Sequence, residues 1–292
     1  MTAAAVPAGI VPAHPAWRSL RWIVPLTLLW IALIAWQPFI PESGVPTSAH
    51  QLMAHGLIAL GLWLGLERTN LTPSQRRTMW LTIMLPDTLW FAVVWSAAIH
   101  GVFITGVSRI PFLPLAIFLP VITGLPLLVL SKRVGQVLDA MPAHWLVALQ
   151  VYRIFGSWFL AAWLIGAAPG VPALPAGTGD VLTGLFALPA AIAVAAGTAQ
   201  GRKAAMMWNI LGLTDFAVAL TLGMLTAPGR FQLIVPNVPG FNPGAYPDVL
   251  TPAFVVPSSI LLHALSLRQL RRRGRAEAAR RQARLGTSEC RQ

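Results

Sequence analysis

Eight long apolar runs, each of about 17–25 residues, constrain this chain more than any other feature. They are Leu20–Ile40, His50–Leu66, Thr78–Ile99, Phe112–Leu130, Ala143–Ala167, Asp180–Thr198, Lys203–Thr226 and Asp248–Leu267. A run of that length crosses the hydrocarbon core of a bilayer as a helix, because a helix satisfies its own backbone N–H and C=O groups. A barrel would show short alternating segments instead. Composition agrees. The chain is 56% hydrophobic and only 10% charged, where soluble domains carry roughly 25% charged residues. Its mean hydropathy is +0.67. The sequence therefore predicts an all-α integral membrane protein with eight transmembrane helices.

The net charge of +12 does not point to nucleic acid, because the cations are not gathered in one binding patch. Alternate connections hold Arg18 and Arg21; Arg68, Arg76 and Arg77; Lys132 and Arg133; Arg202 and Lys203; and the arginine-rich tail from Arg268 to Arg284. The other connections hold only Arg109 and Arg230. By the positive-inside rule, both termini are expected in the cytoplasm. The layout is that of a multi-pass protein of a bacterial inner membrane. A cleaved signal peptide is rejected, because Trp22–Ile40 is longer than an ordinary signal core of about 7–15 residues. The basic tail has the chemistry to lie against anionic lipid headgroups. Cys290 is the only cysteine, which excludes internal disulfides and thiolate metal sites.

An internal repeat runs through these spans. Met79-Trp80, Leu85 and Asp87 return as Met207-Trp208, Leu213 and Asp215, 128 residues later. The same offset relates Gly56-Leu57 to Gly184-Leu185, Ala59-Leu60 to Ala187-Leu188 and Trp30 to Trp158. A repeat of four spans begins and ends on one side, so the halves are expected to be parallel. The organisation expected is a cytoplasmic segment 1–19, a first four-helix repeat 20–130, an interfacial linker 131–142, a second repeat 143–267 and a basic cytoplasmic tail 268–292. In the linker, Val134, Val137 and Leu138 are expected to face the membrane. The Pro- and Gly-rich segments 169–179 and 227–247 read as external loops, the second as a stiff cap.

Charge inside a membrane is costly and usually marks a pathway or a partner. Counted from the expected helix ends, Asp87, Arg153 and Asp215 are the only charged residues deep within the spans. Arginine stays protonated, so Arg153 is expected to pair with one carboxylate and leave the other to a proton, a cation or a cationic ligand. Polar neighbours share helical faces with them: Gln150 and Ser157 with Arg153; Asn209 and Gly212 with Asp215; and Ser259, His263 and Ser266 on the last span. The candidate substrate- or ion-binding residues are Asp87, Asp215, Arg153, Asn209, Gln150 and His263. His50, His55 and His100 are placed near helix ends. The first two are five apart, which stacks poorly on one face, and no acidic residue is expected beside them, so no metal site is assigned. Pro175–Asp180 lacks the Lys-Ser/Thr ending of a P-loop and reads as a helix start. No catalytic serine, cysteine or paired-histidine motif stands out, and no cofactor is indicated.

Three classes of function follow. The deep acidic pair points first to a transporter of a small solute or ion, with proton coupling. A non-catalytic assembly or accessory subunit among other membrane proteins would use the same polar stripes as packing contacts. A membrane-embedded redox or lipid-modifying enzyme would use haem, quinone or a lipid.

Overall fold

A computed structural model describes residues 45–289. The first expected span, Leu20–Ile40, lies outside the described residues, as do segment 1–19, Trp30 and Cys290. Among the described residues there is no strand, and seven helices are long and apolar enough to cross a membrane. These match the second to eighth expected runs in order. The chain is a multi-pass membrane protein.

The helices are α1 (Val45–Glu67), α2 (Pro73–Ile99), α3 (Phe112–Leu130), the short α4 (Lys132–Ala140), a broken span, α7 (Gly170–Ala195), α8 (Ala199–Thr226) and α9 (Val256–Glu289). The broken span consists of α5 (Ala143–Leu149), a 3₁₀ stretch over Gln150–Gly156, and α6 (Ser157–Leu164). A π turn at Thr251–Val255 leads into α9. Connections alternate between two faces. One face, called basic here, carries residues 68–72, α4, residues 196–198 and the far end of α9. The other, called the loop face, carries residues 100–111, 165–169 and 227–250.

Helix starts on the basic face follow from local chemistry. Thr72 Oγ1 accepts from the Gln75 N–H at 3.3 Å, and Gln75 Oε1 accepts from the Thr72 N–H at 3.0 Å. This capping box, with Pro73 in the first turn, contributes about 1 kcal/mol. Thr198 Oγ1 caps α8 through the Gly201 N–H at 3.0 Å.

Two spans form the centre. The broken span and α9 are each 72% buried along their apolar windows, whereas α2 and α3 are 22% and 17% buried. Trp145, Leu146, Leu250 and Phe254 lie at the core between them. On α3, Leu127 and Leu130 are 72% and 77% exposed. In water such surface would cost about 25 cal/mol per Å²; against lipid tails it costs nothing comparable.

Two sequence expectations change here. Val137 and Leu138 are buried in the protein and do not face lipid. The end of α9 folds α4 inward: Gln269 Nε2 donates to the carbonyls of Leu138 and Met141, and Arg268 Nη1 to that of Leu128. Helix α9 continues into the basic tail and runs unbroken to Glu289. Residues 170–179 are helix, not loop, so the sixth span starts at Gly170 and not at Asp180. Pro172 falls in the first turn, where a missing N–H breaks no internal bond. Burial of Pro172, Ala173 and Gly177 then outweighs the weak helix propensity of the segment.

Candidate functional site

With α7 extended, three charged residues come to one depth. Asp180 lies ten residues into α7, Asp215 eleven before the end of α8, and Arg153 eleven before the end of α6. Each is about 15 Å from the loop-face ends of its helix, at 1.5 Å per residue. Arg153 stands on the 3₁₀ stretch, and its residue exposure is 3%. A 3₁₀ run of seven residues is long, since runs beyond about 3–4 are uncommon and often mark a functional hinge.

The guanidinium of Arg153 is held on every side. Nε donates to Asp180 Oδ1 at 2.6 Å, and Nη2 donates to Asp215 Oδ2. Nη1 donates to the Gly212 carbonyl at 3.3 Å and to His263 Nε2 at 3.1 Å. The Phe216 ring lies 3.8 Å from Cζ, a cation–π contact. A guanidinium only donates, so His263 Nε2 must accept. Its Nδ1 then carries the hydrogen and donates to Asn209 Oδ1 at 2.9 Å. Asn209 Nδ2 in turn donates to Ser266 Oγ at 3.1 Å and to the Ala205 carbonyl at 2.8 Å. The result is a directed chain of donors from Arg153 to Ser266 that fixes the position of the cation.

Two glycines make room for this packing. A Cβ at Gly179 would collide with the Asp215 carboxylate, and one at Gly212 would lie 2.6 Å from His263 Nε2 and 2.9 Å from Arg153 Nη1. Neither position admits even alanine without displacing the cluster.

The cluster forms the floor of a cavity of about 530 Å³. The cavity extends from the loop face, between residues 102–112, 227–231 and 241–248, down to Asp180 and Asp215. Phe159, Phe216, Leu220 and Met224 form its apolar wall. Arg109 and Arg230 stand at its rim, joined by an Arg230 Nη2 bond to the Arg109 carbonyl at 3.0 Å. Asp248, also on the lining, has its carboxyl pushed above the ordinary range by burial. At the floor, one guanidinium faces two carboxylates. With both ionised the cluster keeps one negative charge, and an unneutralised buried charge is costly. A proton or a cation at the floor removes that cost.

The sequence-predicted residues divide. Asp215, Arg153, His263 and Asn209 come together as one network. Gln150 does not join it; its Nε2 donates to the Ser259 carbonyl at 3.1 Å. Asp87 lies apart, with Oδ2 3.1 Å from His55 Nδ1 and Oδ1 accepting from Ser258 Oγ at 3.2 Å. Neither Asp87 nor these partners line the cavity. His55 therefore does have an acidic neighbour, contrary to expectation, and it stands well inside α1. His50 packs against Phe155, and His100 Nδ1 sits 2.7 Å from the Ser96 carbonyl. Both nitrogens of His263 are committed, to Arg153 and to Asn209. Sequence reading missed Asp180 because it put the start of the helix there. The depth match to Asp215 appears only once the helix begins at Gly170.

Comparison with known proteins adds one finding. The family model described as "Domain of unknown function (DUF8737)" matches residues 110–271, more than half of the chain. The chain belongs to the DUF8737 family. No curated protein and no solved structure matches it. The DUF8737 segment contains Arg153, Asp180, Asn209, Asp215 and His263, but neither His55 nor Asp87.

Proposed function

We propose that this DUF8737 protein is a transporter of a small solute or ion that loads from the loop face and is held at Asp215 and Asp180, with a proton exchanging on the same pair. The observation that carries this reading is the charge imbalance at the cavity floor: one fixed guanidinium against two carboxylates. A purely structural ion pair would need only one carboxylate. The surplus gives a cation and a proton a common place to bind, which is the requirement for coupling their movements.

Other features support the assignment. Arg153 rides on a helix interrupted in mid-span, and interrupted helices are where membrane carriers build substrate sites. The basic face holds Arg68, Arg76, Arg77, Lys132, Arg133, Arg202 and Lys203, so it is taken as cytoplasmic and the loop face as external. With Leu20–Ile40 as a further span, both termini are cytoplasmic in a bacterial inner membrane. A parallel repeat is supported by its tryptophans. Trp80 Nε1 donates to the Ala59 carbonyl at 2.9 Å, and Trp208 Nε1 to the Thr183 carbonyl at 3.0 Å. Each ties a span to the one before it, at positions one helical turn apart in the two halves.

Proteoliposomes with a trapped pH-sensitive dye test the reading, with small cations, amines and amino acids added outside in turn. A solute-driven pH change that disappears in Asp215→Asn, while the variant remains folded and monodisperse, supports it. Equal flux in Asp215→Asn and the parent protein removes it.

A further inference from the structure

We propose, building on the transport reading, that the solute is an amphipathic organic cation: an amine or quaternary ammonium with an apolar body. The cavity has two chemically distinct parts. Its floor offers surplus negative charge at Asp180 and Asp215, whose side chains are only 15% and 9% exposed. Its wall is aromatic and aliphatic over most of its height. A bare metal ion would use the floor and leave about 530 Å³ of apolar space without purpose. A neutral hydrophobe would fill the wall and leave the surplus carboxylate unmatched. An anion would meet two carboxylates at the bottom. An apolar cation satisfies both parts at once, and pockets of about 300–1,000 Å³ hold molecules of drug-like size.

Two more features fit. Trp158 and Phe159 line the cavity, and aromatic rings attract a desolvated cation. The rim cations Arg109 and Arg230 are exposed, so salt screens them over roughly 8–10 Å. The buried carboxylates are screened far less. A cation is therefore opposed weakly at the rim and attracted strongly at the floor.

The test uses two probes of nearly the same shape and opposite charge, tetraphenylphosphonium and tetraphenylborate. Binding is measured by equilibrium dialysis against the full-length protein in lipid nanodiscs, with empty nanodiscs as reference. The phosphonium is expected to bind saturably and the borate not at all. Asp215→Asn should weaken phosphonium binding by roughly tenfold, the equivalent of about 1.4 kcal/mol. Gly223→Leu supplies a variant that leaves the ion cluster untouched. Gly223 lines the cavity, and a Cβ there meets nothing within 4 Å, so a leucine side chain starts from open space, takes up cavity volume and should abolish binding. Saturable borate binding, or phosphonium binding unchanged in Gly223→Leu, overturns the proposal. If the phosphonium fails to bind while Asp215→Asn still abolishes solute-driven proton flux, the substrate class falls and the transport reading stands. If that flux is also unchanged, both fall.

Discussion

Asp87 and Asp215 each follow a Met-Trp pair at the same spacing, 128 residues apart, yet their surroundings differ in kind. Asp215 shares one guanidinium with Asp180 at the floor of a cavity. Asp87 lies beside His55 and accepts from Ser258, between helices and away from that cavity. The difference lies in who supplies the compensating charge. At Asp87 one imidazole faces one carboxylate. At Arg153 one guanidinium faces two carboxylates, so one of them is left over. Matching sequence spacing thus does not give two carboxylates the same surroundings. The neighbouring residues set whether a carboxylate closes a contact between helices or faces a cavity.

The strongest way to break this comparison is to remove the cations. Arg153→Met leaves two carboxylates buried with no counter-charge and should cost about 3–5 kcal/mol, or prevent folding. Removal of the imidazole in His55→Leu should cost much less, because Asp87 keeps its hydrogen bond from Ser258 and its side chain is 21% exposed. Thermal unfolding in detergent compares the two, and equal losses would contradict the account. Next in size is the effect on flux. Asp215→Asn should abolish solute-driven proton movement in proteoliposomes, whereas Asp87→Asn should keep most of it. Equal loss in both would mean that the two sites act together.

A smaller effect is expected from Gly179→Ala. Its methyl group meets the Asp215 carboxylate and should lower solute affinity several-fold at a stability cost of about 1–3 kcal/mol. The matching probe of a region outside both sites is Asp139. The Arg272 guanidinium beside it holds its carboxyl below the usual range. A depressed carboxyl stabilises the fold above its unfolded value near pH 3.9, and that contribution is lost as pH falls through its folded value. Asp139→Asn should therefore lower the melting temperature slightly at neutral pH and leave it unchanged in strong acid. Because the pair is exposed, the difference should be the smallest of the four.

Much of this arrangement was legible in the sequence. The stripe Asn209, Gly212, Asp215 and the stripe Ser259, His263, Ser266 each follow helical spacing, and five of those six residues meet the Arg153 network directly. Ser259 instead bonds Tyr152, at 2.7 Å. Arg153 itself was evident as an unduplicated cation in an apolar run. What stayed hidden depended on packing. Pro172, Pro175 and the glycines around Asp180 read as a loop, and only burial against the broken span makes them helix. The 3₁₀ stretch carries no proline to announce it. The convergence of α6, α7 and α8 into a cavity is a property of three surfaces together, which no single periodicity encodes.

The cavity from the loop face ends at two carboxyl groups, Asp180 and Asp215, that share one guanidinium. Ala219 lines the cavity one turn from Asp215, and Cys290 is the only native cysteine. Ala219→Cys in a Cys290→Ser background should react with a cationic methanethiosulfonate reagent about tenfold faster than with an anionic one, relative to a free thiol, as expected for about 1.4 kcal/mol of local attraction. The preference should vanish when Asp215→Asn is added. An unreactive thiol, or a rate ratio unchanged by Asp215→Asn, would contradict the account.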